Sequence, residues 1–269
     1  MLRPAIILAL VRRQILLFTR NPVRALELLF WPVVQLLVWG FVTVFLQQNA
    51  GGGDEGFNRF ITFLIGAIIL WDALFRSQQG VAISFLEDVW TRNLLNIFAA
   101  PIRMSEYLAA SFTVGLLRVF VTALVMALIA FLAYRFNLFS FEWLLIPFYA
   151  NLLVFGWSLG IISTSLILRF GHAAESLAWA LPFMIQPFAC VFYDLSVLPG
   201  WMRVVSQAMP PAHIFEGMRG VLAGNGPEPS RLLIASGLNL AFLVAAGALF
   251  SRMLGVARNR GLLVKTASS

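Results

Sequence analysis

The chain has 269 residues, 60% of them hydrophobic and 12% charged, with a formal net charge of +7 and a mean hydropathy of +0.87. One soluble core of this length cannot hide that much apolar surface, so lipid must solvate much of it and a soluble globular domain is excluded. The cations punctuate apolar runs, which is a topology signal and not a nucleic-acid surface; with Cys190 the only cysteine and His172 and His213 the only histidines, no intrachain disulfide and no ordinary Cys/His metal site can form.

The first 22 residues are expected as an amphipathic helix lying in the cytoplasmic interface. At about 100° per residue, Ile7, Val11, Ile15 and Phe18 share one face while Arg13 and Arg20 share another. The stretch Arg12-Arg13-Gln14-Ile15-Leu16-Leu17 faintly resembles a twin-arginine export signal, but Arg20, Asn21, Pro22 and Arg24 stand where an uninterrupted apolar region and a cleavage site belong. A crossing helix needs roughly 20 mostly apolar residues. Six runs qualify: 26–46, 60–85, 107–134, 143–168, 176–193 and 232–253. The expected fold is therefore all-α, a polytopic membrane protein with six transmembrane helices forming one domain over residues 1–269.

Alternate connections set the orientation. With the N-terminus cytoplasmic, that side collects Arg3, Arg12, Arg13, Arg20, Arg24, Arg76, Arg92, Arg103, Arg169, Arg252, Arg258, Arg260 and Lys265. The other side has Arg59, Arg135, Arg203, Arg219 and Arg231, and Arg118 stays inside a run. This imbalance predicts that both termini are cytoplasmic.

After the second run, Val89, Trp90, Asn93, Leu94 and Ile97 follow a helical stripe that Pro101 stops, and the next helix starts near Ser105. A short amphipathic helix over 88–97 is expected on the cytoplasmic face. It reads either as an interfacial helix anchored by its Trp or as a docking helix for a soluble partner, with Glu87, Asp88, Trp90, Arg92, Asn93 and Leu94 as the contact residues.

Before the last run, Pro199 to Met209 has an apolar face of Trp201, Val204, Val205, Ala208 and Met209, and Pro210-Pro211 breaks it. A second short helix carries Ile214, Phe215, Met218, Val221 and Leu222, with Glu216 and Arg219 at i,i+3, and ends at Gly224-Asn225-Gly226-Pro227. Each arm reaches roughly 16 Å, about half the hydrocarbon thickness. Residues 199–223 are thus expected as a re-entrant helical hairpin, the alternative being an amphipathic hairpin on the membrane surface. Trp201, Pro210, Pro211, His213, Glu216 and Arg219 are its candidate outside-gate residues; the plainer expectation is that Glu216 pairs with Arg219 and that His213 is a hydrogen-bonded interface residue.

Within the runs, Asp72 and Arg76 stand one turn apart and are expected to pair, whereas Glu27 and Arg118 lie near cytoplasmic ends where their heads can reach water. No relay of such groups is visible, which argues against proton-driven transport. Trp31, Trp143 and Trp201 suit membrane interfaces; Trp39, Trp71, Trp157 and Trp179 are candidates to line a path, against plain packing or lipid contact. The sole lysine, Lys265 in Val264-Lys265-Thr266, lacks the glycine-rich lead of a P-loop, and neither a Gly-x-Ser-x-Gly elbow nor a His-Glu-x-x-His helix occurs.

The order Glu87, Leu94-Leu95, Ala100-Pro101 and Glu106-Tyr107-Leu108 resembles the coupling-helix element of type-two ABC permeases, the membrane subunits of many bacterial ABC exporters. Leu198-Pro199-Gly200-Trp201, followed by Pro210-Pro211 and Phe215-Glu216-Gly217-Met218-Arg219, is similar to their Leu-Pro-x-Trp … Pro … Phe-Glu-x-x-Arg signature before the last span. Trp90-Thr91-Arg92-Asn93 replaces the usual Gly-Thr-Leu-Glu. The resemblance implies an inner-membrane permease subunit that is not itself an enzyme, forms a homodimer or a heterodimer with a related chain, and docks an ABC ATPase through its coupling helix. ATP and Mg²⁺ would be bound by that ATPase, with no cofactor on this chain. The cargo class implied is an amphiphile: a lipid-linked saccharide, a lipid or a hydrophobic drug. The rival reading is an intramembrane transferase acting on lipid-linked substrates; it needs convergent acids, and the adjacent Glu87 and Asp88 diverge by about 100° on a helix. A passive scaffold is the third.

Overall fold

The computed structural model describes residues 2–49, 55–91, 93–136 and 143–259, and every regular element among them is helical. In chain order these are α1 (Pro4–Thr19), α2 (Pro22–Asn49), α3 (Glu55–Trp90), α4 (Leu94–Ala99), α5 (Met104–Tyr134), α6 (Leu145–Phe170), α7 (Glu175–Ile185), α8 (Gly200–Gln207), α9 (Pro210–Leu222) and α10 (Pro229–Asn259). Proline opens α1, α2, α9 and α10, where the amide hydrogen it lacks has no intrahelical partner to lose.

The centre of the bundle is α3. Its 36 residues are buried almost continuously from Phe63 to Val89, polar ones included, by α2, α5, α6, α7 and α9. Close approach explains how so many helices fit around one. A Cβ on Gly80 would lie 2.4 Å from the Gly115 Cα on α5, and one on Gly156 or Gly160 of α6 would fall 2.6 Å from the Leu74 carbonyl or 2.9 Å from that of Gln78. Backbones therefore touch where side chains would otherwise stand, the small-residue packing on which membrane helices rely when apolar burial gives no preference for protein over lipid. Polar cross-links add direction: Gln78 Nε2 donates to Ser163 Oγ (3.0 Å) and to the Ala178 carbonyl (2.9 Å), and Asn239 Nδ2 donates to Asn151 Oδ1 (2.9 Å), fastening α10 to α6.

The outer surface is apolar. Phe41 and Phe45 on α2, Phe120, Leu124 and Leu132 on α5, and Leu233, Leu240 and Val244 on α10 are all exposed, a surface suited to lipid and not to water. Among the described residues, four helices are long and apolar enough to cross a membrane: Ala25–Leu46, Met104–Tyr134, Leu145–Phe170 and Pro229–Ala257.

Two expected elements differ. The run at 176–193 is not one helix: α7 ends at Ile185, a 3-10 turn covers Gln186–Phe188, and Cys190 adopts a left-handed φ of 54°. Pro182 and Pro187 each remove a backbone donor from this stretch, so apolarity there outlasts helicity. The helix expected over 88–97 is also divided. Asp88 and Trp90 belong to the last turn of α3, and α4 begins anew at Leu94. At the break the Asn93 amide donates to the Asp88 carbonyl (2.9 Å), satisfying an acceptor that a continuous helix would have used, and the Thr91 hydroxyl joins its own amide on the Glu87 carbonyl (2.7 Å). Arg92 lies outside the described residues.

Candidate functional site

A cleft of about 700 Å³ opens among α2, α3 and α7, with the end of α1 and Arg118 of α5 completing its wall. Three helical stripes build it. Trp31, Val34, Gln35, Val38 and Trp39 come from α2; Asp72, Phe75, Arg76, Gln79, Ile83, Glu87 and Trp90 from α3; Trp179 and Phe183 from α7. Each recurs at three or four residues, the spacing that lines one face of a helix. The volume lies within the roughly 300–1,000 Å³ typical of small-molecule sites.

Charge in the cleft is organised in advance. Arg76 Nε meets Asp72 Oδ1 at 3.3 Å and Arg76 Nη1 donates to Gln79 Oε1 at 3.1 Å, all three side chains being buried. The Arg118 guanidinium sits over the Phe18 ring at 4.0 Å. Of the tryptophans considered for a path, Trp39 and Trp179 line the cleft; Trp71 is buried in the core, and Trp157 stacks on Phe112 with ring centroids 4.7 Å apart. Trp31, assigned from sequence to a membrane interface, joins the lining, as do Gln35, Gln79 and Glu87. On α3 the polar residues Asp72, Arg76, Gln79 and Glu87 stand at i, i+4, i+7 and i+15, and that recurrence was the available signal, because polar residues repeating on one face of an apolar helix need a polar surface to look upon.

At the candidate coupling segment around α4, the acids turn inward. Asp88 is fully buried and accepts from Arg13 Nη2 and from the Tyr107 hydroxyl (2.7 Å). Glu106 is buried as the third residue of α5; it accepts from the Arg103 amide (2.9 Å), from Arg3 Nε and Nη2 (2.8 Å each) and from the Arg3 amide (3.1 Å), while Arg3 Nη2 also reaches the Pro101 carbonyl. Thus the start of α1 is tied to the first turn of α5, and its middle to the last turn of α3. Leu94 and Ile97 are buried beside Phe85, Val89 and Phe250. Glu87, Asp88 and Leu94 consequently do not face outward; Trp90 does, with Nε1 donating to Glu175 Oε2 of α7 at 3.1 Å, and Asn93 is half-buried beside the exposed Asn96. Glu87 faces the cleft while Asp88 faces Arg13, so the two adjacent acids do not converge.

The α8–α9 hairpin has one buried and one exposed arm. On α9, Pro210, Pro211, Ile214, Phe215 and Met218 pack into the bundle; on α8, Trp201 and Val204 stay exposed, with Trp201 edge-on to Phe188. Glu216 Oε1 accepts from Arg219 Nη1 (2.6 Å) and from the Leu195 amide (3.0 Å). Arg219 also donates to the Cys190 carbonyl and lies 4.3 Å from the Phe63 ring centroid. This one ion pair therefore holds α9, the irregular chain after α7, and α3. His213 Nε2 donates to the Gln207 carbonyl at 2.8 Å, closing the turn between the arms. Among the described residues, no three His, Cys, Asp or Glu side chains gather as a metal site would require.

Comparison with known proteins accords with this architecture. The curated relatives include the inner membrane transport permease YadH of Escherichia coli strain K12, 22% identical over 218 residues that cover 80% of this chain and 82% of the relative. YadH of Shigella flexneri matches to the same extent. The sequence profile of the ABC-2 type transporter family matches residues 6–223, from α1 through the end of the hairpin, and on that match the chain belongs to the ABC-2 type transporter family.

Proposed function

We propose that the chain is the inner-membrane permease subunit of an ATP-binding-cassette exporter, moving an amphiphile such as a lipid-linked saccharide, a lipid or a hydrophobic drug. The observation that carries this reading is the cleft. A polar and aromatic stripe on the buried helix α3 runs from Asp72 to Trp90 and ends four residues before α4, so one helix joins a binding surface to a cytoplasmic-side junction. In this reading there are six crossings: the four apolar helices, α3 with its charges shielded by protein, and α7 extended by the chain after it. Both termini are cytoplasmic, and the α8–α9 hairpin half-enters the membrane from outside, its Glu216–Arg219 pair steadying the outer gate.

Two such subunits, identical or related, would face each other across the cleft and dock two ATPases, which bind ATP and Mg²⁺. The docking surface is Trp90, Thr91, Asn93 and Asn96, because these remain outward once Leu94 and Ile97 pack inside. The relatives' name, inner membrane transport permease, supports the location and the transport role.

The test is co-purification of the chain with the ATPase encoded beside it, followed by ATP hydrolysis in lipid vesicles. The intact pair should form a stable complex with lipid-stimulated hydrolysis, and Trp90→Ala with Asn96→Ala should weaken both. A chain that recruits no ATPase and moves no amphiphile would end the exporter reading.

A further inference from the structure

The cleft's charge says more than its size. Among its described lining residues stand three carboxylates, Glu27, Asp72 and Glu87, and two guanidiniums, Arg76 and Arg118. Arg76 is already bound to Asp72 and Gln79, and the face of Arg118 is covered by Phe18. An anionic ligand would meet a described lining with one more carboxylate than guanidinium, and drawing Arg76 away from Asp72 would leave a buried carboxylate without its partner, a costly exchange. A cation meets no such obstacle. Glu27 is exposed at the cleft, and α3 ends at Trp90 beside Glu87, so the negative end of its macrodipole points at the same margin. Much of the remaining wall is aromatic, lined by Trp31, Trp39, Trp179 and Phe183, and aromatic rings attract a positive charge spread over an apolar body. Compact ammonium ions lose too much hydration to gain from such walls, whereas delocalised or quaternary cations are weakly hydrated.

We infer that the cleft selects apolar cations, amphiphiles whose positive charge is quaternary or delocalised, over neutral or anionic ones of the same shape. This rests on the reading of the cleft as the substrate path.

Tetraphenylphosphonium and tetraphenylborate share size and shape and differ in sign, so equilibrium dialysis of each against the purified full-length chain, with empty micelles subtracted, isolates the charge. The cation should bind saturably and on the order of tenfold tighter than the anion, a ratio that corresponds to one or two good cation–aromatic contacts. Glu27→Gln, at an exposed position that leaves the fold intact, should narrow the ratio, and Trp179→Ala should weaken the cation. Equal binding of the two ions, or preference for the borate, with loss in Trp179→Ala, overturns the charge selectivity and leaves the cleft as the path. Absence of saturable binding by either ion, or binding indifferent to Trp31→Ala and Trp179→Ala together, overturns the path and the selectivity with it.

Discussion

The two ends of the bundle bury the same kind of pair, a carboxylate against an arginine, on different sequence scales. At the α3–α5 junction the partners come from far apart: Arg3 and Glu106 are separated by 103 positions and Arg13 and Asp88 by 75, so each pair staples α1 to the segment around α4. At the hairpin the pair is local, Glu216 and Arg219 on one helix, and its reach comes from the backbone groups it collects, Leu195 N–H and the Cys190 carbonyl. Long-range pairs constrain how whole helices move together. A local pair constrains how one turn is folded. The junction is therefore suited to pass displacement on, and the hairpin to hold a shape.

The sharpest way to break this contrast is to remove one acid at each end. Asp88→Ala takes from Arg13 its buried carboxylate partner, while the Tyr107 hydroxyl keeps the Ser84 carbonyl, and should destabilise the detergent-solubilised protein by about 3–5 kcal/mol in thermal unfolding. Glu216→Ala should cost less, about 1.5–3 kcal/mol, because Arg219 keeps the Cys190 carbonyl and the face of Phe63. Equal costs would mean that the hairpin pair is as structural as the junction pair. Next in size, Trp90→Phe deletes the Nε1 bond to Glu175 between α3 and α7, worth about 0.5–1.5 kcal/mol. Its effect on partner-stimulated ATP hydrolysis should exceed its effect on the unfolding temperature; the reverse order would assign Trp90 to stability alone.

Arg3→Ala, at a side chain 43% exposed, should barely move the unfolding temperature and should instead speed proteolysis of α1, more so at low salt where the native staple is strongest. Smallest is a pH effect beside the hairpin. Hydrogen bonds from Ser196, side chain and backbone N–H, hold the Asp194 carboxyl below its ordinary pKa. A depressed carboxylate contributes stability that is present at neutral pH and lost as pH falls through the depressed value. Asp194→Asn should flatten that part of the acid unfolding profile and leave neutral stability slightly lower.

Long apolar runs were legible because lipid imposes them residue by residue; the helices at 25–46, 104–134, 145–170 and 229–257 follow directly. The breaks at Pro101 and Pro210-Pro211 were legible for the same local reason, a missing donor. Pro182 and Pro187 carried the same signal, yet hydropathy hid it, and the run there was read as one helix. The junction could not be read at all. Glu87 and Asp88 are neighbours in sequence, and only the packing of α1 and α5 decides that one meets a cleft and the other Arg13. The glycines of α3, α5 and α6 gave no periodic apolar pattern, so their contacts appear only when three helices are present together.

The length of α3 has a mechanical meaning. A single helix of 36 residues measures about 54 Å, well beyond the roughly 30 Å of hydrocarbon, so under the proposed six-crossing reading it is a rod with its ends clear of the slab. Held near its middle by glycine contacts at Gly80, Gly156 and Gly160 and carrying the junction at Trp90, such a rod has a fulcrum. A tilt of about 10° sweeps one end roughly 9 Å relative to the other, comparable to the interaxial spacing of two packed helices. Leverage of that size needs no hinge within the helix, and it makes the two ends of the protein report on each other.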